Sequence, residues 1–348
     1  MARITAKGYS FNDVLIVPKY NKIASRREVN FQTQVTKNYK IDIPIVAANM
    51  DTICESEMAI ALGKMGGLGV IHRFLSIDQQ VGEIKKVKKH KLITAAAVGV
   101  KDIEERVDAL AKAGVNILVL DVAHGHSKRT GKTLDYIKER YPEIDVMVGN
   151  IATKDAAEYF ISKRADAIKV GIGPGAMCTT RVMTGAGIPQ ITAIMDVYEA
   201  SQNRVPICAD GGIKCPGDVV KAIGAGANTV MMGSLLAGTK ESPGKIIIKD
   251  KKKFKEHRGM ASYLATIKRM QMDGKKVEKD VHVEGEMTLA LYQGPIAPVI
   301  NKFLGGLASG MTYTGSKIID NLRGKADFIE ISSAGYNESI AHGIINKL

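Results

Sequence analysis

The feature that most constrains this chain is a recurring pattern. A short, almost wholly apolar, β-branched run ends in Gly, Asp, Asn or His, and a stretch of helical character follows. Eight such runs stand at Pro44–Asn49, Leu68–His72, Ile93–Val98, Ile117–Val122, Val146–Asn150, Ala167–Gly171, Pro206–Asp210 and Thr229–Gly233. They do not alternate apolar with polar residues, as half-exposed strands do. Continuous apolar runs mark strands covered on both faces. Helical stretches such as Ile103–Ala113 and Gly217–Ala225 lie between them. Eight β/α repeats with short loops predict a closed parallel (β/α)8 TIM barrel, one α/β domain over residues 1–348. The competitor is an open doubly wound sheet, but its G-x-G-x-x-G first turn is missing.

With 45% hydrophobic and 24% charged residues in 348, a mainly disordered chain is excluded. No apolar run approaches the ~20 residues of a membrane span. The opening residues Met1–Val14 have no apolar core, so no secretory signal is read there. Cys54, Cys178, Cys208 and Cys215 are scattered without metal-ligand spacing, which favours a reduced, cytoplasmic protein. The net charge of +13 points to nucleic acid, a membrane surface or an anionic small ligand. Much of it sits in two runs, Lys85–Lys91 and Lys249–Lys255. These read first as solvated helix or loop surface, with a nearby anionic ligand or nucleic acid as alternatives. Aromatic residues are 5% and Trp is absent, leaving little for base stacking, so neither a nucleic-acid nor a membrane partner is expected.

Barrel enzymes carry their chemistry at the C-terminal strand ends. Those ends read Asn49-Met50-Asp51, His72-Arg73, Asp121 to His126, Gly149-Asn150, Gly171 to Gly175, Asp210-Gly211-Gly212 and Gly233-Ser234. Polar residues and glycines thus gather on one predicted rim. The segment Val170–Arg181 turns on three glycines and a proline and then presents Cys178, a candidate nucleophile at the barrel mouth. Cys54, Cys208 and Cys215 read as buried, inert thiols. The glycine exits after strands seven and eight fit a phosphate site built of backbone N–H groups, with turn geometry alone as the bland alternative. Asp210 beside them suits ribose hydroxyls.

Together the motifs Ala48-Asn49-Met50-Asp51-Thr52, Asp121-Val122-Ala123-His124-Gly125, Gly171–Arg181, Thr184–Gln190, Ala209–Gly212 with Cys215–Asp218, and Gly305-Gly306-Leu307 are highly specific. Over nearly its whole length the chain resembles the inosine monophosphate dehydrogenase and guanosine monophosphate reductase superfamily. The resemblance implies a barrel that binds a purine nucleotide and a nicotinamide cofactor, usually as a homotetramer. Dehydrogenases usually insert a regulatory module after strand two. Here Lys85–Lys91 runs straight into Leu92-Ile93-Thr94, so that module is not expected. Some spellings look like reductase, among them Asn49-Met50-Asp51 and Cys215-Pro216-Gly217-Asp218. Others look like dehydrogenase, among them His124-Gly125-His126-Ser127 and Ala334–Ser339. A mobile flap is expected over about 250–293. In dehydrogenases that flap carries an Arg-Tyr pair that activates water for hydrolysis. Between Met260 and Glu284 this chain has Arg269 followed by Met270 and no Arg-Tyr. The expectation is therefore a reductase that converts GMP to IMP and ammonia with NADPH, with an NAD-dependent IMP dehydrogenase as the alternative.

The resemblance also implies roles. Cys178 is the nucleophile, and Thr180 with Glu284 handles the proton. Met50, Asp210, Gly211, Gly212, Gly233, Ser234, Arg258, Gly259, Met260 and Ala261 hold the nucleotide. Asp121, Ala123, His72 and Arg73 face the cofactor. A monovalent cation, K+, would lie on carbonyls of Gly173, Gly175 and Cys178, with Glu338 and Ser339 from a neighbouring subunit. Two departures stand out: Ala176 where the family usually has serine, and His257 where it usually has tyrosine.

Overall fold

The eight apolar runs become eight parallel strands. They are β1 (Ile45–Ala47), β2 (Leu68–Ile71), β3 (Ala95–Val98), β4 (Ile117–Asp121), β5 (Asp145–Ile151), β6 (Ala167–Val170), β7 (Ile207–Asp210) and β8 (Thr229–Met232). Each pairs with the next, and β8 pairs back onto β1 with Val230 opposite Ile45, which closes the barrel. The computed structural model describes residues 4–101, 103–272 and 283–341. The strands start and stop a residue or two inside most of the apolar runs. Pro44 and Pro206 precede β1 and β7 because proline has no N–H for the ladder.

The barrel helices are α1 (Ser56–Lys64), α2 (Ile77–Lys89), α3 (Glu104–Ala113), α4 (Lys128–Arg140), α5 (Lys154–Ser162), α6 (Gln190–Ser201), α7 (Pro216–Ala225) and α8 (Ile296–Tyr313). Their starts are written in the sequence. Ser76, Ser127 and Thr153 accept backbone N–H groups at the heads of α2, α4 and α5, and Pro216 occupies the first turn of α7. The helices bury Leu62, Ile84, Leu110, Ile137, Phe160, Ile194, Ile223 and Leu307 against the strands.

The barrel strands are almost wholly buried. Their only residues that are not fully buried are Asp121, Asn150 and Asp210, at the C-terminal ends of β4, β5 and β7. One end of the barrel is therefore polar and open while the body is apolar.

Between β8 and α8 stands an antiparallel sheet of Ile246–Lys249, Lys252–Arg258 and Met287–Leu291, with a helix at Tyr263–Met272. This is the segment expected as the flap. The Lys249–Lys255 run, expected as solvated helix or loop, instead forms the first hairpin of that sheet. Lys255 is buried there, because its ammonium donates to the carbonyls of Thr239, Lys240 and Ser242. The other run behaves as expected: Lys85, Lys86, Lys88 and Lys89 ride on α2. The chain's ends are tied by an antiparallel pair, Val14–Ile16 with Phe328–Glu330.

Candidate active site

A cavity of ≈ 330 Å³ opens at the C-terminal end of the barrel. Its walls include the three polar strand ends Asp121, Asn150 and Asp210, the loop after β6, the turns after β7 and β8, and the flap residues Gly259, Met260, Ala261 and Glu284.

The loop after β6 sets the Cys178 thiol. Gly171 has φ of +148°, and a Cβ there would lie 2.1 Å from the Asp210 carbonyl oxygen, so only glycine fits. Arg181 pins the loop by donating to the carbonyls of Ile172 and Ile188. The Cys178 N–H closes a turn on the Gly175 carbonyl at 3.0 Å. Cys178 Sγ then donates to Thr180 Oγ1 at 3.1 Å, and Thr180 Oγ1 donates to Glu284 Oε2 at 2.8 Å.

Glu284 lies 104 residues from Thr180, and the backbone brings it there. Thr179 N–H donates to the Glu284 carbonyl at 3.0 Å, and Glu286 N–H to the Met177 carbonyl at 3.0 Å. Glu284 N–H in turn donates to the Ala261 carbonyl at 3.1 Å. The flap is stitched to the cysteine loop on both sides of the carboxylate. The result is a continuous hydrogen-bonded path from a thiol through a hydroxyl to a carboxylate, a means of moving a proton at a reacting centre.

Asp121 and Asp210 face the cavity around a buried lysine. Lys169 Nζ lies 2.9 Å from Asp210 Oδ2 and 3.3 Å from Asp121 Oδ1, and it also donates to Asn150 Oδ1. Burial works against the charge of Asp121, but the Lys169 ammonium and then the Arg73 guanidinium outweigh it and hold the carboxyl below its ordinary range. Arg73 Nε is 3.6 Å from Asp121 Oδ2. Ala123 lines the same wall. Two carboxylates at the cavity wall can accept hydrogen bonds from hydroxyl groups, which the ribose of a nucleotide and of a nicotinamide cofactor would offer. His72 is placed differently. It is fully buried behind the rim, with Nε2 at 3.1 Å from Glu55 Oε1 and Nδ1 accepting the Phe74 N–H at 3.1 Å.

Gly211, Gly212, Gly233 and Ser234, expected as a phosphate cradle, line the same cavity. Gly211 has φ of +90°, and a Cβ there would stand 3.0 Å from the Gly175 N. Behind Ser234 sits His257, 1% exposed, with Nε2 at 3.1 Å from Ser234 Oγ and Nδ1 at 3.3 Å from Thr52 Oγ1. Burial pushes its pKa down to about 4, and Asp51 only partly offsets this, so the ring is neutral at neutral pH. Arg258, expected to hold the nucleotide, is not among the cavity-lining residues and instead grips the fully buried Asp51 carboxylate, with Lys268 at 3.8 Å on the same group. Met50 lines the cavity, and Met260 Sδ accepts the Asp51 N–H at 3.4 Å.

Cys54 and Cys208 are buried as expected, but Cys215 is exposed, because it sits at the head of α7 rather than inside it. Gly173, Gly175 and Cys178 line the cavity, whereas Glu338 and Ser339 end an exposed helix at Ser333–Glu338. Among the described residues, no group of three or more His, Cys, Asp or Glu side chains is placed to hold a metal ion. No helix among them is long and apolar enough to cross a membrane. Sequence reasoning did not assign Lys169 a role. Its signal was a lone lysine inside the otherwise apolar run Ala167–Gly171.

The IMP dehydrogenase / GMP reductase domain matches residues 8–342. An inosine-5'-monophosphate dehydrogenase of Borreliella burgdorferi is 40% identical over 402 residues, covering 99% of each chain. One from Cryptosporidium parvum is 38% identical, covering 97% of this chain and 96% of its own. A GMP reductase of Leishmania donovani is 31% identical, covering 97% of each.

Proposed function

Because this chain belongs to the IMP dehydrogenase / GMP reductase family, we propose that it is an NADPH-dependent GMP reductase, which releases the 2-amino group of GMP as ammonia and yields IMP. The observation that carries the reading is the path Cys178–Thr180–Glu284, joined to a flap sequence without the Arg-Tyr pair of hydrolytic relatives. Residues 273–282 of that flap lie outside the described residues.

In this reading Cys178 gives up its proton along Thr180 toward Glu284 and its sulfur bonds to C2 of the purine. The same pair returns a proton to the 2-amino group, since an amine leaves readily only when protonated. The C2–N bond breaks, ammonia departs and a thioimidate remains on Cys178. A bound nicotinamide would supply the hydride for C2, and breaking the C–S bond would then free IMP and return Cys178 as a thiolate. Asp210 takes the nucleotide ribose, and Gly212, Gly233 and Ser234 take the phosphate. Asp121, Ala123 and Arg73 orient the cofactor. Gly173, Gly175 and Cys178 belong to the tight loop where a potassium ion would sit on backbone oxygens. The Gly175 carbonyl accepts the Cys178 N–H, so a cation bound there would have to share that oxygen.

A second reading, NAD-dependent oxidation of IMP to XMP, is favoured by the 40% identity to the Borreliella burgdorferi dehydrogenase over essentially full length. It requires another flap group to activate the hydrolytic water. Ammonia release from GMP with NADPH, absent in a Cys178→Ala variant that still binds GMP, tests the first reading. XMP formation from IMP with NAD would replace it with the second.

A further inference from the structure

We propose that Lys169 is a positioning residue shared by two ligand sites: one buried ammonium holds both the carboxylate for the nucleotide ribose and the carboxylate for the cofactor ribose. The inference rests on the assignment of Asp210 to the nucleotide and Asp121 to the cofactor made above.

Lys169 stands in the middle of β6 and is 2% exposed. An ammonium is rarely buried unless it is fully partnered. Here its three hydrogens meet three acceptors, Asp210 Oδ2, Asp121 Oδ1 and Asn150 Oδ1. The strand alongside makes room for it. A Cβ at Gly149 would come within 2.5 Å of Lys169 Cβ. Asn150 completes the frame, since its amide donates to Asp210 Oδ2 at 2.9 Å and to the Gly171 carbonyl at 2.7 Å. Among the described residues, both side-chain bonds to Asp210 fall on Oδ2. Oδ1 is thereby left to accept from a ligand in the cavity that Asp210 lines. Arg73 lies beside the far oxygen of Asp121, and Cys208 lies close to Lys169 on β7.

The two carboxylates come from β4 and β7, on opposite sides of β5 and β6, and Lys169 joins them across the barrel mouth. Without the ammonium, two carboxylates would share a buried site with no common cation, and one would take up a proton. A protonated or rotated acid is a poor acceptor for a ribose hydroxyl. Both ligands would therefore lose affinity together, and more so as pH falls.

The test uses the full-length protein, with steady-state kinetics in both substrates and calorimetric titration of GMP and IMP without cofactor. Lys169→Met is expected to raise KM for nucleotide and for cofactor on the order of tenfold each, the loss typical of a charged hydrogen-bond partner. It should also add an acid limb to both kcat/KM profiles, which Lys169→Arg removes in part. The double variant Lys169→Met/Asp121→Asn keeps the net charge of the lysine–carboxylate cluster and so guards against simple misfolding. It should bind nucleotide about tenfold more weakly than Asp121→Asn alone, although neither change touches the nucleotide. Wild-type KM values in Lys169→Met, or equal nucleotide affinity in the double and single variants, would overturn the inference alone. Wild-type protein that binds neither nucleotide would overturn it together with the functional reading.

Discussion

Thr180 is the narrowest point in the proposed chemistry, and replacing it with valine tests it cleanly. Valine keeps the shape of threonine and removes only the hydroxyl. That hydroxyl accepts from Cys178 Sγ at 3.1 Å and donates to Glu284 Oε2 at 2.8 Å, so one change cuts both links of the path. Positioned proton transfer contributes roughly 10²–10⁴ to a rate, about 3–5 kcal/mol of barrier. Thr180 is only partly buried at the head of a short helix, so the cost to folding should stay near about 1 kcal/mol. The assay is kcat at saturating nucleotide and cofactor, beside GMP affinity measured by titration. The expected result is a kcat reduced by at least ~10²-fold with nucleotide affinity changed by less than about threefold. A kcat within about threefold of wild type would refute the relay, because turnover would then proceed without the hydroxyl that bridges thiol and carboxylate.

Other consequences follow from the same geometry. Arg258→Met removes the main partner of the fully buried Asp51 carboxylate while Lys268 remains 3.8 Å away, so thermal and denaturant unfolding should show a loss of about 3 kcal/mol. Gly171→Ala forces a Cβ to 2.1 Å from the Asp210 carbonyl, and should raise the nucleotide KM and lower the melting temperature together. The folded pKa of His257, about 4, lies below its ordinary 6.5, so the stability it contributes is complete above pH 6.5 and is lost as pH falls toward 4. The stability difference between wild type and His257→Phe should therefore shift by about 1–3 kcal/mol across that window, as read by denaturant titrations at several pH values. Turnover compared in potassium, sodium and cation-free buffer tests the cation loop. Potassium should raise kcat, and flat activity would remove the ion from the account.

Much of the barrel was legible because a strand covered on both faces must be apolar along its whole length, and eight such runs leave few other ways to fold. The rim was legible for the complementary reason. Asp121 and Asp210 are polar residues that close apolar runs, and they stand where the strands open onto the cavity. Lys169 was not legible. Its charge lies inside a run that reads as core, and only the barrel's closure brings the two carboxylates that neutralise it. His257 was seen as a departure, but its neutrality depends on burial behind Ser234, which no local pattern encodes. The lysines at 249–255 look like solvated surface in sequence. Lys255 is drawn inside by three carbonyls at the end of a neighbouring turn, an arrangement of distant residues. The pairing of Thr180 with Glu284 was expected from the resemblance, whereas the ladder that delivers it belongs to the fold.

The most direct measurement follows nicotinamide absorbance in two mixtures of the purified protein: GMP with NADPH, and IMP with NAD. The account predicts NADPH oxidation with one ammonia released per IMP formed, and no reduction of NAD. Reduction of NAD with XMP accumulating would contradict it, and would place the hydrolytic water under the control of a flap residue other than an Arg-Tyr pair.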